Sequence, residues 1–160
     1  MKLVRWGAKG RERPGLIDGD GRVRDLSGVV PDIAGTAIMP EGIARLGALD
    51  PADLPRVPGM PQKDLRLGPC VAGTRKFVCI GLNYADHAAE TGAAIPKEPI
   101  IFGKWTSAIV GPDDEVEIPR ESVKTDWEVE LGVVIGKPGR YIAEADALSH
   151  VAGYCVINDV

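Results

Sequence analysis

Hydrophobic and polar positions alternate with period two at both ends of the chain, and a helical period interrupts them only briefly. Residues 2–6 (Lys-Leu-Val-Arg-Trp) and 21–26 (Gly-Arg-Val-Arg-Asp-Leu) alternate, which predicts half-buried strands. Between them Gly15-Leu16-Ile17 runs into Asp18-Gly19-Asp20-Gly21, a hairpin turn signal. The Asp/Gly run lacks the spaced ligands and terminal glutamate of an EF-hand, so a turn is the better reading than a calcium loop. Ile43, Leu46 and Leu49 recur at helical spacing behind Pro40, predicting a helix over 40–49. Prolines at 51, 55, 58, 61 and 69 then predict an extended linker. The domain boundary falls near residue 70. Residues 1–69 read as a small β-rich domain with its linker, and 70–160 as a second domain.

Downstream, strands are predicted at 76–82, 100–102, 116–118, 126–135 and 151–160. Short helices are predicted at 84–90, capped by Asn83 and ending near Gly92, and at 143–150. The pattern is an α+β fold, mostly β. The chain stops at Val160, directly behind an apolar strand. Chain ends are usually polar and frayed, so the sequence reads as cut inside its second domain. A strand deprived of its partners leaves apolar side chains in water. The 160-residue chain is therefore expected to aggregate and to lack activity by itself.

Composition narrows the classes. Hydrophobic residues make up 44% and charged residues 26%, with a net charge of −4 and no basic block. That is globular usage, with no footprint for nucleic acid or an anionic membrane surface. No apolar run reaches membrane-span length, and the first residues lack the apolar stretch of a signal peptide, so a cytoplasmic protein is expected. Cys70, Cys79 and Cys155 form no CxxC pair, which argues against a disulfide framework or a thiolate zinc site. Buried, reduced thiols are the expectation.

The sharpest chemical signal is Asp126-Trp127-Glu128-Val129-Glu130, followed at once by Leu131-Gly132-Val133-Val134-Ile135. Period two aims three carboxylates at one face of a strand that is about to enter a core. Like charges so close repel one another, and a hard divalent cation such as Mg²⁺ or Mn²⁺ would relieve them. The plain alternative is an acidic edge strand in water. Asp159, behind the run 154–157, is a second carboxylate at a strand end, or simply a turn residue after Asn158. His87 and Glu90 share a helical face, an arrangement that suits a general base or an inert surface pair. Lys104 and Ser107 could hold a substrate carboxylate or lie in a solvated loop.

Taken in order, Cys79-Ile80-Gly81-Leu82-Asn83-Tyr84-Ala85-Asp86-His87-Ala88-Ala89-Glu90, Lys104-Trp105-Thr106-Ser107, residues 126–136 and residues 153–160 resemble the fumarylacetoacetate hydrolase family. The likeness is greatest to bacterial diketo-deoxy-sugar-acid hydrolases and ureidoglycolate-lyase-like members, and it covers 70–160. It implies a small N-terminal β-rich domain ahead of the first part of a fumarylacetoacetate-hydrolase-type β-roll, truncated at the C-terminus. It implies a Mg²⁺ or Mn²⁺ site of Glu128, Glu130 and Asp159, a catalytic His87–Glu90 dyad on a lid helix, and substrate contacts at Lys104 and Ser107. The implied activity is hydrolysis of a carbon–carbon bond in a β-diketo acid through a metal-stabilised enolate. Ureidoglycolate cleavage, or 2-oxo acid isomerisation or decarboxylation, is the alternative within the family, and an inactive fragment or interaction module the alternative outside it. The implied partner is a small 2-oxo or 2,4-diketo acid, with no nucleic acid and no membrane, and a homodimer when full length.

Overall fold

Leu26, Ile33 and Leu46, the largest side chains fully withdrawn from water, join Leu16, Val30 and Ala37 in one cluster. Val23, Val57 and Leu67 make a second. The computed structural model describes residues 1–61 and 63–160. They divide into two units, one of residues 1–73 with 110–160 and one of residues 74–109. Both clusters lie in the first.

The expected hairpin opens that unit. β1 (Lys2–Trp6) pairs antiparallel with β2 (Arg13–Ile17), which pairs with β3 (Val23–Asp25). Asp18 closes the β2–β3 turn, its carboxylate accepting from the amides of Asp20 and Arg22 and from Arg24 Nε. The Asp/Gly run is therefore occupied with its own turn. α1 (Pro40–Gly47) begins on Pro40 and buries Gly42 and Leu46. The proline-rich stretch that follows begins with a 3₁₀ turn at Pro51–Asp53, where an extended linker is expected, and it places Val57 and Leu67 in the second cluster. Each such apolar side chain contributes about 1.5–3 kcal/mol by leaving water.

Ionic ties reinforce the packing. Arg5 is held by both oxygens of Asp32 at 2.7 and 3.0 Å. Arg66 spans Glu12 at 3.0 Å and both oxygens of Asp114 at 2.7 Å. The Arg66 guanidinium and the Gly111 amide hold the Asp114 carboxyl down to about 2. A depressed carboxyl contributes its stability fully above the unfolded value near 3.8 and loses it as pH falls through about 2. Urea midpoints of the chain should therefore fall between about pH 4 and pH 2, and Asp114→Asn should flatten that slope while costing about 1–3 kcal/mol at neutral pH. An unchanged slope would assign the acid sensitivity elsewhere.

Also in the first unit, β6 (Val129–Ile135) and β7 (Val151–Asn158) form an antiparallel pair, joined by a connection that carries α3 (Glu144–Ala147). Burial alternates along both strands. Glu130, Gly132, Val134, Cys155 and Ile157 are half-covered, whereas Leu131, Val133, Tyr154 and Val156 face water. The second unit pairs β4 (Phe77–Gly81) with β5 (Ile100–Lys104) and carries α2 (Ala85–Thr91) between them. Its left-handed Gly92 (φ 67°) ends α2, as the sequence suggests.

The observed architecture is α+β and mostly β, with three small sheets among the described residues. Some expectations are corrected. Residues 116–118 form no strand, because the Val-Glu-Ile alternation has no neighbouring strand to pair with. β6 begins at Val129 rather than at 126, and β7 is the longer of the two. Tyr84, not Asn83, stands at the N-cap of α2. All three cysteines are free and half-buried. Among the described residues, no helix is long and apolar enough to cross a membrane.

Candidate active site

Register decides which carboxylates meet. Val129 lies opposite Asn158, and Glu130 opposite Ile157. One step further out, Glu128 lies opposite Asp159, and the Asp159 amide donates to the Glu128 carbonyl at 2.9 Å. Opposed residues of an antiparallel pair share a face, and so do residues two apart on one strand. Glu128, Glu130 and Asp159 therefore stand on one face at the open end of the hairpin. The strand end is pinned by Asn158, whose Oδ1 accepts from the Glu128 amide at 3.1 Å. The sequence offers Asn158 only as a turn former, since its positioning part depends on register.

Why the strands register this way is visible at Gly132. A β-carbon there would come within 2.6 Å of Cys155 Sγ and 2.8 Å of Ile157 Cγ1. Without a side chain at 132, Cys155 and Ile157 lie across the gap between Glu130 and Val134 on the same face.

Three carboxylates make an all-oxygen donor set suited to a hard divalent cation. The backbone brings them to one face but does not gather their side chains. Among the described residues no three His, Cys, Asp or Glu groups are close enough together to hold a metal ion. Glu130 and Asp159 are half-buried and Glu128 exposed, so side-chain rotation would have to complete a cage. Asp126 lies outside the ladder and accepts from the Trp127 amide at 2.8 Å.

In the second unit, β4 ends at Gly81 and the chain turns into α2 through Leu82, whose φ of 48° is left-handed. A leucine there costs on the order of 1–2 kcal/mol, so the turn is held by its surroundings against local preference. It sets the start of the helix that bears His87 and Glu90. Both side chains are exposed, one helical turn apart, and make no ion pair with one another among the described residues. Asp86 Oδ1 accepts from the His87 amide at 2.9 Å, which secures the first turn. Lys104 ends β5 opposite Phe77, half-buried, and Ser107 lies exposed in the 3₁₀ turn Thr106–Ala108.

Residues 76–160, both hairpins included, match the family model described as fumarylacetoacetate (FAA) hydrolase C-terminal. The chain belongs to the fumarylacetoacetate hydrolase family. A protein of Burkholderia multivorans, named only as a hydrolase, is 62% identical over all 160 residues, which make up 55% of its own length. Among solved structures, a fumarylacetoacetate hydrolase from Exiguobacterium antarcticum is 33% identical with a TM-score of 0.72, over 99% of this chain and 55% of that one. A maleylpyruvate hydrolase from Sphingobium sp. SYK-6, solved with manganese(II) and pyruvate, is 25% identical with a TM-score of 0.74, over 99% and 58%. The chain thus spans about half the length of the relatives it matches.

Proposed function

We propose that the protein is a divalent-metal-dependent hydrolase that breaks a carbon–carbon bond in a β-diketo acid, of the acylpyruvate or 2,4-diketo-3-deoxy sugar acid type. The observation that carries this reading is the cross-strand opposition of Glu128 and Asp159 with Glu130 on the same face. The family relative that holds manganese(II) and pyruvate, a 2-oxo acid, supports it.

In this reading Glu128, Glu130 and Asp159 hold Mg²⁺ or Mn²⁺. A cation there supplies positive charge for the oxygens of a 2-oxo acid and for the negative charge that develops as the bond breaks. The family chemistry asks a base to take a proton from the water that attacks the distal carbonyl, and His87 is assigned that step. Glu90, one helical turn on, is assigned to orient the imidazole. Lys104 pairs with a substrate carboxylate and Ser107 donates to it. The division at residue 70 assigns all of these groups to the second domain.

In the complete protein, His87→Ala is expected to lower turnover by about 10²–10⁴-fold while leaving Mn²⁺ affinity nearly unchanged, because a base is not a ligand. Equal loss of both would reverse the assigned roles. The substrate reading is tested with a panel of acylpyruvates, 2,4-diketo-3-deoxy sugar acids and ureidoglycolate under Mn²⁺. Release of pyruvate from the diketo acids supports it, and cleavage of ureidoglycolate alone overturns it.

A further inference from the structure

The first unit contains a cleft of about 250 Å³ lined by Met1, Leu3, Cys70, Val71, Ala152 and Cys155, among others. Two thiols 85 residues apart in sequence, Cys70 and Cys155, line this one cleft, and nothing in the proposed hydrolysis uses them. Hydrogen bonding with Cys155 holds the Cys70 thiol down to about 7 against the opposing effect of burial; the backbone amides of Cys70 and Val71 and the Arg5 charge add to it. Arg5 is itself fixed by Asp32. The same hydrogen bond, together with burial, pushes Cys155 up. One sulfur is thus poised as a nucleophile while its neighbour keeps its proton. Cys79 lies in β4 of the other unit.

We propose that Cys70 and Cys155 are a peroxide-responsive pair that closes to an intramolecular disulfide across this cleft. The Cys70 thiolate attacks one oxygen of hydrogen peroxide. The O–O bond breaks, the departing hydroxide takes up a proton to leave as water, and Cys70 becomes a sulfenic acid. The Cys155 sulfur, giving up its proton, attacks the Cys70 sulfur. The S–O bond breaks, a second water leaves, and the S–S bond forms. Two thiols are oxidised by two electrons in total and one peroxide is reduced to two waters. The bond would tie residue 70 to β7, on the strand face that Cys155 shares with Asp159 by period two.

The test treats the complete protein with a slight excess of hydrogen peroxide, blocks remaining thiols by alkylation, and maps peptides without reductant. Titratable thiols should fall by two, those of Cys70 and Cys155. The peptides of Cys70 and Cys155 should be joined with the loss of two hydrogens, Cys79 should be alkylated, and dithiothreitol should restore the two lost thiols. Pairing should lose its selectivity in urea. Cys155→Ser should leave Cys70 as a sulfenic acid trapped by dimedone. A disulfide between chains, Cys70 carried to sulfinic acid in the unsubstituted chain, or Cys155 left alkylatable would overturn the proposal. So would failure of dimedone to label Cys70 in the variant. The mapping of the unsubstituted chain decides even if the variant does not fold.

Discussion

Glu128→Ala is expected to abolish saturable Mn²⁺ binding. If the proposed site holds the ion, removing one of its three carboxylates takes away a direct ligand and a unit of negative charge, a loss on the order of 100-fold in affinity or more. Glu130→Ala and Asp159→Ala should do the same. Asp126→Ala should not, because Asp126 lies outside the β6–β7 ladder and its carboxylate accepts from the Trp127 amide. Calorimetric titration of each variant with Mn²⁺ reads the result. Binding that survives Glu128→Ala but vanishes with Asp126→Ala would move the site off the hairpin. Because opposed strand positions fix the set, Asn158→Ala should weaken affinity by a smaller factor, through loss of its bond to the Glu128 amide.

Self-association of the 160-residue chain is the second large effect. Leu131 pairs with Val156 and Val133 with Tyr154 across the ladder, and Val156 is 81% exposed. These side chains form a contiguous apolar face on the reverse of the carboxylates, a surface of the kind that drives association. Light scattering is expected to report species larger than one chain at micromolar concentration. Leu131→Lys with Val156→Lys should return it toward the monomer, since charges on a strand face oppose stacking. A monodisperse monomer of the unsubstituted sequence would show that this face is harmless in water.

Much of this organisation is legible in the residues. Period-two alternation reveals β1, β6 and β7, because a strand covered on one side must alternate. The acidic triplet reveals which face bears charge. Two things resist such reading. The opposition of Glu128 and Asp159 depends on a register set partly by the missing side chain of Gly132. Local sequence carries periodicity, but not which residue of one strand lies across from which residue of another. The left-handed Leu82 is likewise invisible, since leucine does not favour that conformation and only the surroundings impose it. Residues 116–118 err the other way, with a strand-like pattern and no partner.

Backbone contact at the roots of the 74–109 excursion has an evolutionary consequence. A β-carbon on Gly111 would strike the Leu67 carbonyl and the Gly68 α-carbon, and Asp114 beside it is clasped by Arg66. The outgoing and returning strokes of the chain are therefore fastened together before the excursion begins. The cost of closing what lies between rises only slowly with its length, and doubling it adds only about 0.6 kcal/mol. The cluster of Leu26, Ile33 and Leu46 draws no member from the segment that bears His87, Glu90, Lys104 and Ser107. Such a segment is free to diversify on a scaffold that need not change.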